Sequence, residues 1–241
     1  MKKIMFFIFC LFAVLFISCT SKVAPNVNNF SPIALICVAT NDEVTILDDP
    51  EDGTGIFSQY LNKIKEDENP ISAKNLGILV DEKINEIIYK NPQILSKDTV
   101  TNVPAYTKQK ASSFKNLNHY IAAPGYKMFV ENDTQKIAYI LKETNAKTAM
   151  YLIFKFHKAF LNAGTDQTSG DMHGIVRLEA SVRNLAGKQI FKKNYESWSD
   201  EYFTTHNTFL TYDERYEIAS YYPYLVDNVL SEFCTDFNLQ K

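Results

Sequence analysis

VRLEASVRNLAGKQIFKKNYE, residues 176–196, spells out two strands and the turn that joins them. Val176, Leu178, Ala180 and Val182 alternate with Arg177, Glu179, Ser181 and Arg183, the two-residue period of a strand with one dry face and one wet face. Gly187 stands where a short loop needs left-handed backbone, and the run from Gln189 onward returns as the partner strand. Just upstream, MYLIFKFH at 150–157 repeats the alternation. Met150, Leu152, Phe154 and Phe156 lie on one side, and Tyr151, Ile153, Lys155 and His157 on the wet one. The three segments predict an antiparallel sheet that must be covered on its apolar side.

The rest of the chain supplies the cover. IALICVAT, residues 33–40, is apolar throughout and rich in β-branched residues, as expected of a strand buried on both faces. DEVTILDD after it either extends that strand or forms a second one. DDPEDGTG, 48–55, is a solvated acidic turn; as a calcium loop it fails, because Pro50 occupies the third ligand position and Gln59 the twelfth, where a bidentate Glu is needed. Leu76, Val80, Ile84, Ile87 and Ile88 recur at helical spacing and the run stops at Asn91-Pro92. From 94 to 130 the pattern weakens, and the polar stretch 108–118 suggests a short strand or two and a long surface loop. Asn132 or Asp133 caps a second helix with Ile137, Ile140 and Leu141 as its buried stripe. A last helix over about 213–237 presents Ile218, Tyr221, Leu225, Val229, Phe233 and Phe237 on one face. Pro223 either opens its first turn or kinks it. With no internal repeat and no second core-sized segment, the expectation is one domain over 32–241. Its class is α/β (α+β), a mixed and mostly antiparallel sheet with a C-terminal hairpin and helices packed on it.

The chain opens MKKIMFFIFCLFAVLFISCTSK. Lys2 and Lys3 precede an apolar run from Ile4 to Ile17 that is shorter than the roughly 20 residues of a membrane-spanning helix, the form of a removable secretory signal. Phe16-Ile17-Ser18-Cys19 resembles the lipobox of bacterial lipoproteins, with Phe16 where the stricter motif has Leu. The resemblance makes 1–18 a signal peptide and Cys19 the lipidated N-terminus, so that the protein sits on a membrane without crossing it. Acyl chains contribute roughly 0.8 kcal/mol per buried methylene, enough for stable anchoring when two or more are present. The other reading is an ordinary signal cut near Ser18 to Ser21. Thr20 stands where inner-membrane lipoproteins of many diderm bacteria carry Asp, which favours the outer membrane. Residues 19–31, polar and Asn-rich, read as a flexible tether.

Without Lys2 and Lys3 the net charge of −3 becomes −5, and the absence of a Lys/Arg cluster excludes nucleic acid as a partner. Cys10 leaves with the leader and Cys19 is acylated, so Cys37 and Cys234 are the remaining thiols, either free and buried or bridged. Asp171-x-His173, in a Gly-rich loop, lacks a third metal ligand at a recognisable spacing, and no metal or cofactor is expected. His157 belongs on the wet face beside Lys155. There is no G-x-S-x-G, no Walker loop and no G-x-G-x-x-G, so no catalytic residues are assigned.

The lipobox, IALICVAT, the passage ILKETNAKTAMYLIFKF at 140–156 and the 176–196 hairpin together resemble small periplasmic α/β modules of bacterial lipoproteins. These are the curli-secretion-channel type, the penicillin-binding-protein-activator type and the N-terminal domain of the Tol-system propeller protein. The resemblance covers the larger part of the mature chain and rests on element order and a hairpin of the form strand, Asn, x, x, Gly, Lys, strand. It implies a module that binds or assembles with other envelope proteins. An aromatic-dense stretch, NYESWSDEYFTTHNTFLTYDERYEIASYYPY, suits a surface that is part dry and part wet. Trp198, Tyr202 and Phe203, in the connection before the last helix, are the candidate binding residues. The competing expectation is a small apolar or lipid ligand held in a cavity between sheet and helix.

Overall fold

Residues 27–47, 69–112, 119–161, 170–205 and 210–239 are described by a computed structural model. In chain order the strands are β1 (Ile33–Asn41), β2 (Thr45–Ile46), β3 (Tyr120–Ala122), β4 (Thr148–Leu161), β5 (Gly170–Asn184), β6 (Gln189–Trp198) and β7 (Phe203–Thr205). The helices are α1 (Ala73–Ile87), α2 (Lys97–Thr101), α3 (Pro104–Thr107), α4 (Thr134–Thr144) and α5 (Tyr212–Asp236). The seven strands form one open sheet of order β3-β1-β4-β5-β6, with β2 added to β4 and β7 to β5. The β1–β4 and β2–β4 pairs are parallel and the others antiparallel. A parallel β1–β4 pair requires the intervening chain to cross over, and α1 to α4 make that crossing.

β1 lies inside the sheet and all nine of its residues are buried. A register shift between Leu35 and Cys37 breaks its alternation, so Leu35 and Val38 face one core while Ile36 and Cys37 both face the other. The larger core lies under α1 and α5. Ser72 caps α1 by accepting from the amide of Asn75 at 3.3 Å, and its buried stripe is Leu76, Val80 and Ile84. α5 opens with a Thr211/Glu214 capping box and runs through Pro223 without interruption, which answers the question that Pro223 poses in the sequence. Ile218, Tyr222, Leu225, Val229 and Phe233 are fully buried beneath it. The helix crosses the sheet at Gly174, where an added Cβ would lie 3.4 Å from the Tyr222 ring. Each such large side chain contributes about 1.5–3 kcal/mol by leaving water.

On the other face α2, α3 and α4 cover β1 and the first half of β4. Ile137, Ile140 and Leu141 of α4 pack on Ala34, Ile36, Ala149 and Tyr151. Two expectations change here. The stretch 94–130, read as a surface loop with a strand or two, contributes Val100, Tyr106 and Phe129 to this second core. Tyr106 donates to the carbonyl of Ile36 at 3.1 Å, accepts from the amide of Lys127 at 2.8 Å and meets the Phe129 ring edge-on. The wet face of β4 is likewise shorter than its alternation implies, since Ala149 and Tyr151 lie buried under α4 and exposure starts at Ile153.

The tether boundary moves as well. Residues 27–29 form a 3-10 turn in which Val27 is 1% exposed within the main core, and the Phe30 carbonyl accepts from Thr148 Oγ1 at 2.9 Å. The polar stretch expected to be free through Ser31 is therefore packed from Val27 onward, because one valine and one phenylalanine in it have core to fill. The signal peptide, Cys19 and the acidic turn at 48–55 lie outside the described residues. At the hairpin, Gly187 has φ +76°, the left-handed backbone that its position demands.

Candidate functional site

Among the described residues α4 covers only the part of its side of the sheet over β1 and the start of β4, and the remainder, across the second half of β4 and much of β5 and β6, is ordered by the strand register. Three cross-strand rows follow one another: Ile153, Glu179 and Asn194; Lys155, Arg177 and Glu196; His157, Ile175 and Trp198. Charges of opposite sign on neighbouring strands pair with each other. Lys155 reaches Glu179 at 2.7 Å, and Arg177 pairs with Glu196. Trp198 Nε1 donates to Glu196 Oε1 at 2.7 Å. Burial pushes the Glu196 carboxyl up, but the hydrogen bonds from Trp198 and Arg177 outweigh it and hold the group below the usual carboxylate range. The face is thus charged yet internally neutralised, and its long side chains are already held in place.

Its centre is apolar and closed to solvent: Ile175, between His157 and Trp198 in the register, is fully buried. Thr45 Oγ1 and His157 Nδ1 lie 3.0 Å apart as register neighbours of the parallel β2–β4 pair. The next residue of β5 on this face is His173, whose Nδ1 lies 2.9 Å from the Ser199 carbonyl and whose ring packs against that of Tyr202, centroids 5.3 Å apart. Asp171 and His173 were expected in a solvated loop. They lie instead in β5, and His173 is buried because β7 and residues 199–202 fold over that end of the strand.

The three aromatic residues singled out by the sequence do not act together. Trp198 ends β6 half-buried on this face, and Tyr202, 54% exposed, packs on the His173 ring. Phe203 begins β7 and is 9% exposed within the main core opposite Met172, so it is a packing residue and leaves the surface assignment. Lone aromatics in short strands carry no periodicity to tell a core position from a surface one.

Sequence reasoning missed a second feature. Between the outer side of α4 and the hairpin loop lies a cleft of about 430 Å³ lined by Ala138, Tyr139, Leu141, Ala146 and Leu185, with Lys142 and Asn145 at its rim. Tyr139 is 63% and Leu185 55% exposed. The available signal was a leucine in the middle of a polar turn and a tyrosine off the buried stripe of its helix.

Cys37 and Cys234 form no disulfide and are buried in separate cores on opposite faces of the sheet. Among the described residues no three His, Cys, Asp or Glu side chains are grouped to hold a metal ion, and no helix is long and apolar enough to cross a membrane. No protein-family model matches this sequence, and no curated protein matches it either.

Proposed function

We propose that the chain is an envelope lipoprotein anchored through Cys19, with the outer membrane favoured by Thr20, and that its folded body is a non-catalytic module for interaction or assembly with another envelope protein. The observation that carries the second half is that Trp198, half-buried, and Tyr202, more than half exposed, lie toward the same end of the sheet face beyond α4, beside a pre-ordered row of charges. Trp and Tyr are the residue types that most often dominate binding energy at protein contacts. Side chains already held by Lys155–Glu179 and Arg177–Glu196 lose little further freedom when a partner docks. The rival reading, an apolar ligand between sheet and helix, is less well supported. The contact of α5 with the sheet is filled by Phe156, Tyr222, Leu225 and Phe233, and the cleft lies on the far side of α4.

The test is crosslinking of the membrane-anchored protein with a photoreactive residue at Trp198 or Tyr202, and at Tyr216 as a control. A discrete partner captured from the first two positions and lost in Tyr202→Ala supports the module. Equal capture from Tyr216, or none from Trp198 and Tyr202, overturns it.

A further inference from the structure

The start of the described chain and the cleft lie at the same end of the sheet. Phe30 is bonded to Thr148 at the start of β4, and Thr148 is the register partner of Asn184, the residue just before Leu185. The next residue of the loop but one, Gly187, lies close enough to α4 that an added Cβ would meet Thr134. The start of the described chain, the hairpin loop and α4 therefore form one pole of the sheet.

Cys19 precedes Val27 by eight residues, and an extended chain covers at most about 3.6 Å per residue, so an acylated Cys19 keeps this pole within about 29 Å of the lipid. The composition of the pole fits that position. Tyr139 and Leu185 are its exposed apolar groups, and Lys142, Lys147 and Lys188 are exposed around them. Three carboxylates of the same region are paired with cations, Glu131 with Arg183, Asp133 with Lys136 and Asp236 with Lys193, while exposed Glu143 accepts the amide of Ala105 and keeps its charge. An acidic protein thus carries a lysine-bearing patch with an aromatic and a leucine at the end where its described chain begins. Side chains that are apolar in body and basic at the rim are those that settle into a headgroup layer.

We propose that this pole, with Tyr139 and Leu185 at its centre, rests on the headgroups of the membrane that holds the anchor, which fixes the orientation of the body and turns the opposite end of the sheet away from the lipid. The proposal rests on the anchoring reading. Its test is arranged so that the two can fail separately.

The chain has a single tryptophan, Trp198. In a Trp198→Phe background, Leu185→Trp and Tyr139→Trp report on the pole, and Leu161→Trp reports on the far end of β4. Leu161 lies 13 strand residues beyond Thr148, about 43 Å at 3.3 Å per residue. The mature chain is coupled through the thiol of Cys19 to a maleimide lipid in vesicles of phosphatidylethanolamine and phosphatidylglycerol, the buried Cys37 and Cys234 being shielded from the reagent. Brominated acyl chains then quench nearby tryptophan. Emission from positions 185 and 139 should fall about twofold and shift to the blue, with that from 161 unchanged. Equal quenching at all three positions, or none at any, overturns the proposal. The anchoring reading is tested apart, by incorporation of labelled fatty acid into the wild-type chain in cells, since the chemical tether does not depend on it.

Discussion

The ring of Phe30 stacks on that of Phe237, with centroids 6.3 Å apart and 15° between the planes. Phe237 also stacks on Phe233 at 5.6 Å and meets the edge of Phe191 at 5.0 Å. The beginning of the folded chain, the end of α5 and the strand β6 are thereby joined in one aromatic column. Phe30→Ala should destabilise the protein by about 2 kcal/mol, less than the 3–5 kcal/mol of a fully buried ring because Phe30 is half-buried. Starting the chain at Ile33 should cost more, since Val27 leaves the core with it. Urea unfolding checks both, and equal midpoints for the 27–241 and 33–241 chains would show that the column is not part of the cooperative unit.

What the sequence made legible was whatever repeats. The alternation of Leu152, Phe154 and Phe156 and the helical spacing of Ile137, Ile140 and Leu141 each encode a face, and those elements stand as read. The second core was hidden because α2 and α3 have five and four residues, too few to display a stripe, and because Tyr106 and Phe129 are isolated among polar neighbours. Val27 was hidden for the same reason. Of the three aromatic residues singled out, Tyr202 is exposed, Trp198 half-buried and Phe203 packed in the core, while Leu185 was passed over because turns are read for their polar residues.

The split within that aromatic group is measurable. Phe203→Ala removes a core ring and should cost about 3–4 kcal/mol, whereas Tyr202→Ala, more than half exposed, should change stability by less than about 1 kcal/mol. Trp198→Ala should fall between them, because it also leaves Glu196 without one donor. Comparable losses for Tyr202→Ala and Phe203→Ala would return Tyr202 to the core and remove it from the proposed contact surface.

Glu131 fastens the chain ahead of α4 to β5. Ser181 Oγ donates to its Oε1 at 2.6 Å, and Arg183 Nη2 to its Oε2 at 2.6 Å. Burial raises the carboxyl, but these bonds and the nearby Lys192 outweigh it, so its folded pKa lies below the usual value. A lowered pKa gives stability that is complete above the unfolded value of about 4.3 and lost as the pH falls through the folded one. Glu131→Gln should therefore be clearly less stable than wild type at pH 7, with the gap closing below about pH 4. A gap of constant size from pH 7 to pH 3, read by chemical unfolding, would show that the charge of Glu131 contributes nothing.

Cys37 is fully buried, and that burial pushes its thiol up to about 11, so thiolate is scarce at neutral pH. Cys234 is 8% exposed on the other side of the sheet. In the native protein both should resist an aromatic disulfide reagent, and both should react on unfolding without prior reduction. Failure of the unfolded chain to release these two thiols would mean that they are bridged, and the separation of the two cores would then be wrong.

The lipid anchor rests on the residues around Cys19, and the folded body sharpens what its loss should do. The described core contacts reach back to Val27, eight residues after Cys19, and Cys19→Ala should leave the unfolding midpoint unchanged. The same substitution should abolish fatty-acid labelling and move the protein from the membrane to the soluble fraction, since the contacts of Tyr139 and Leu185 with headgroups are too few to hold it alone. These two effects separate the anchor from the fold. Labelling that persists in Cys19→Ala would reject the lipobox reading. If labelling is lost but the protein stays with the membrane, the body itself binds strongly, and the pole around Leu185 is the first place to substitute, with Leu185→Ser and Tyr139→Ser expected to release it.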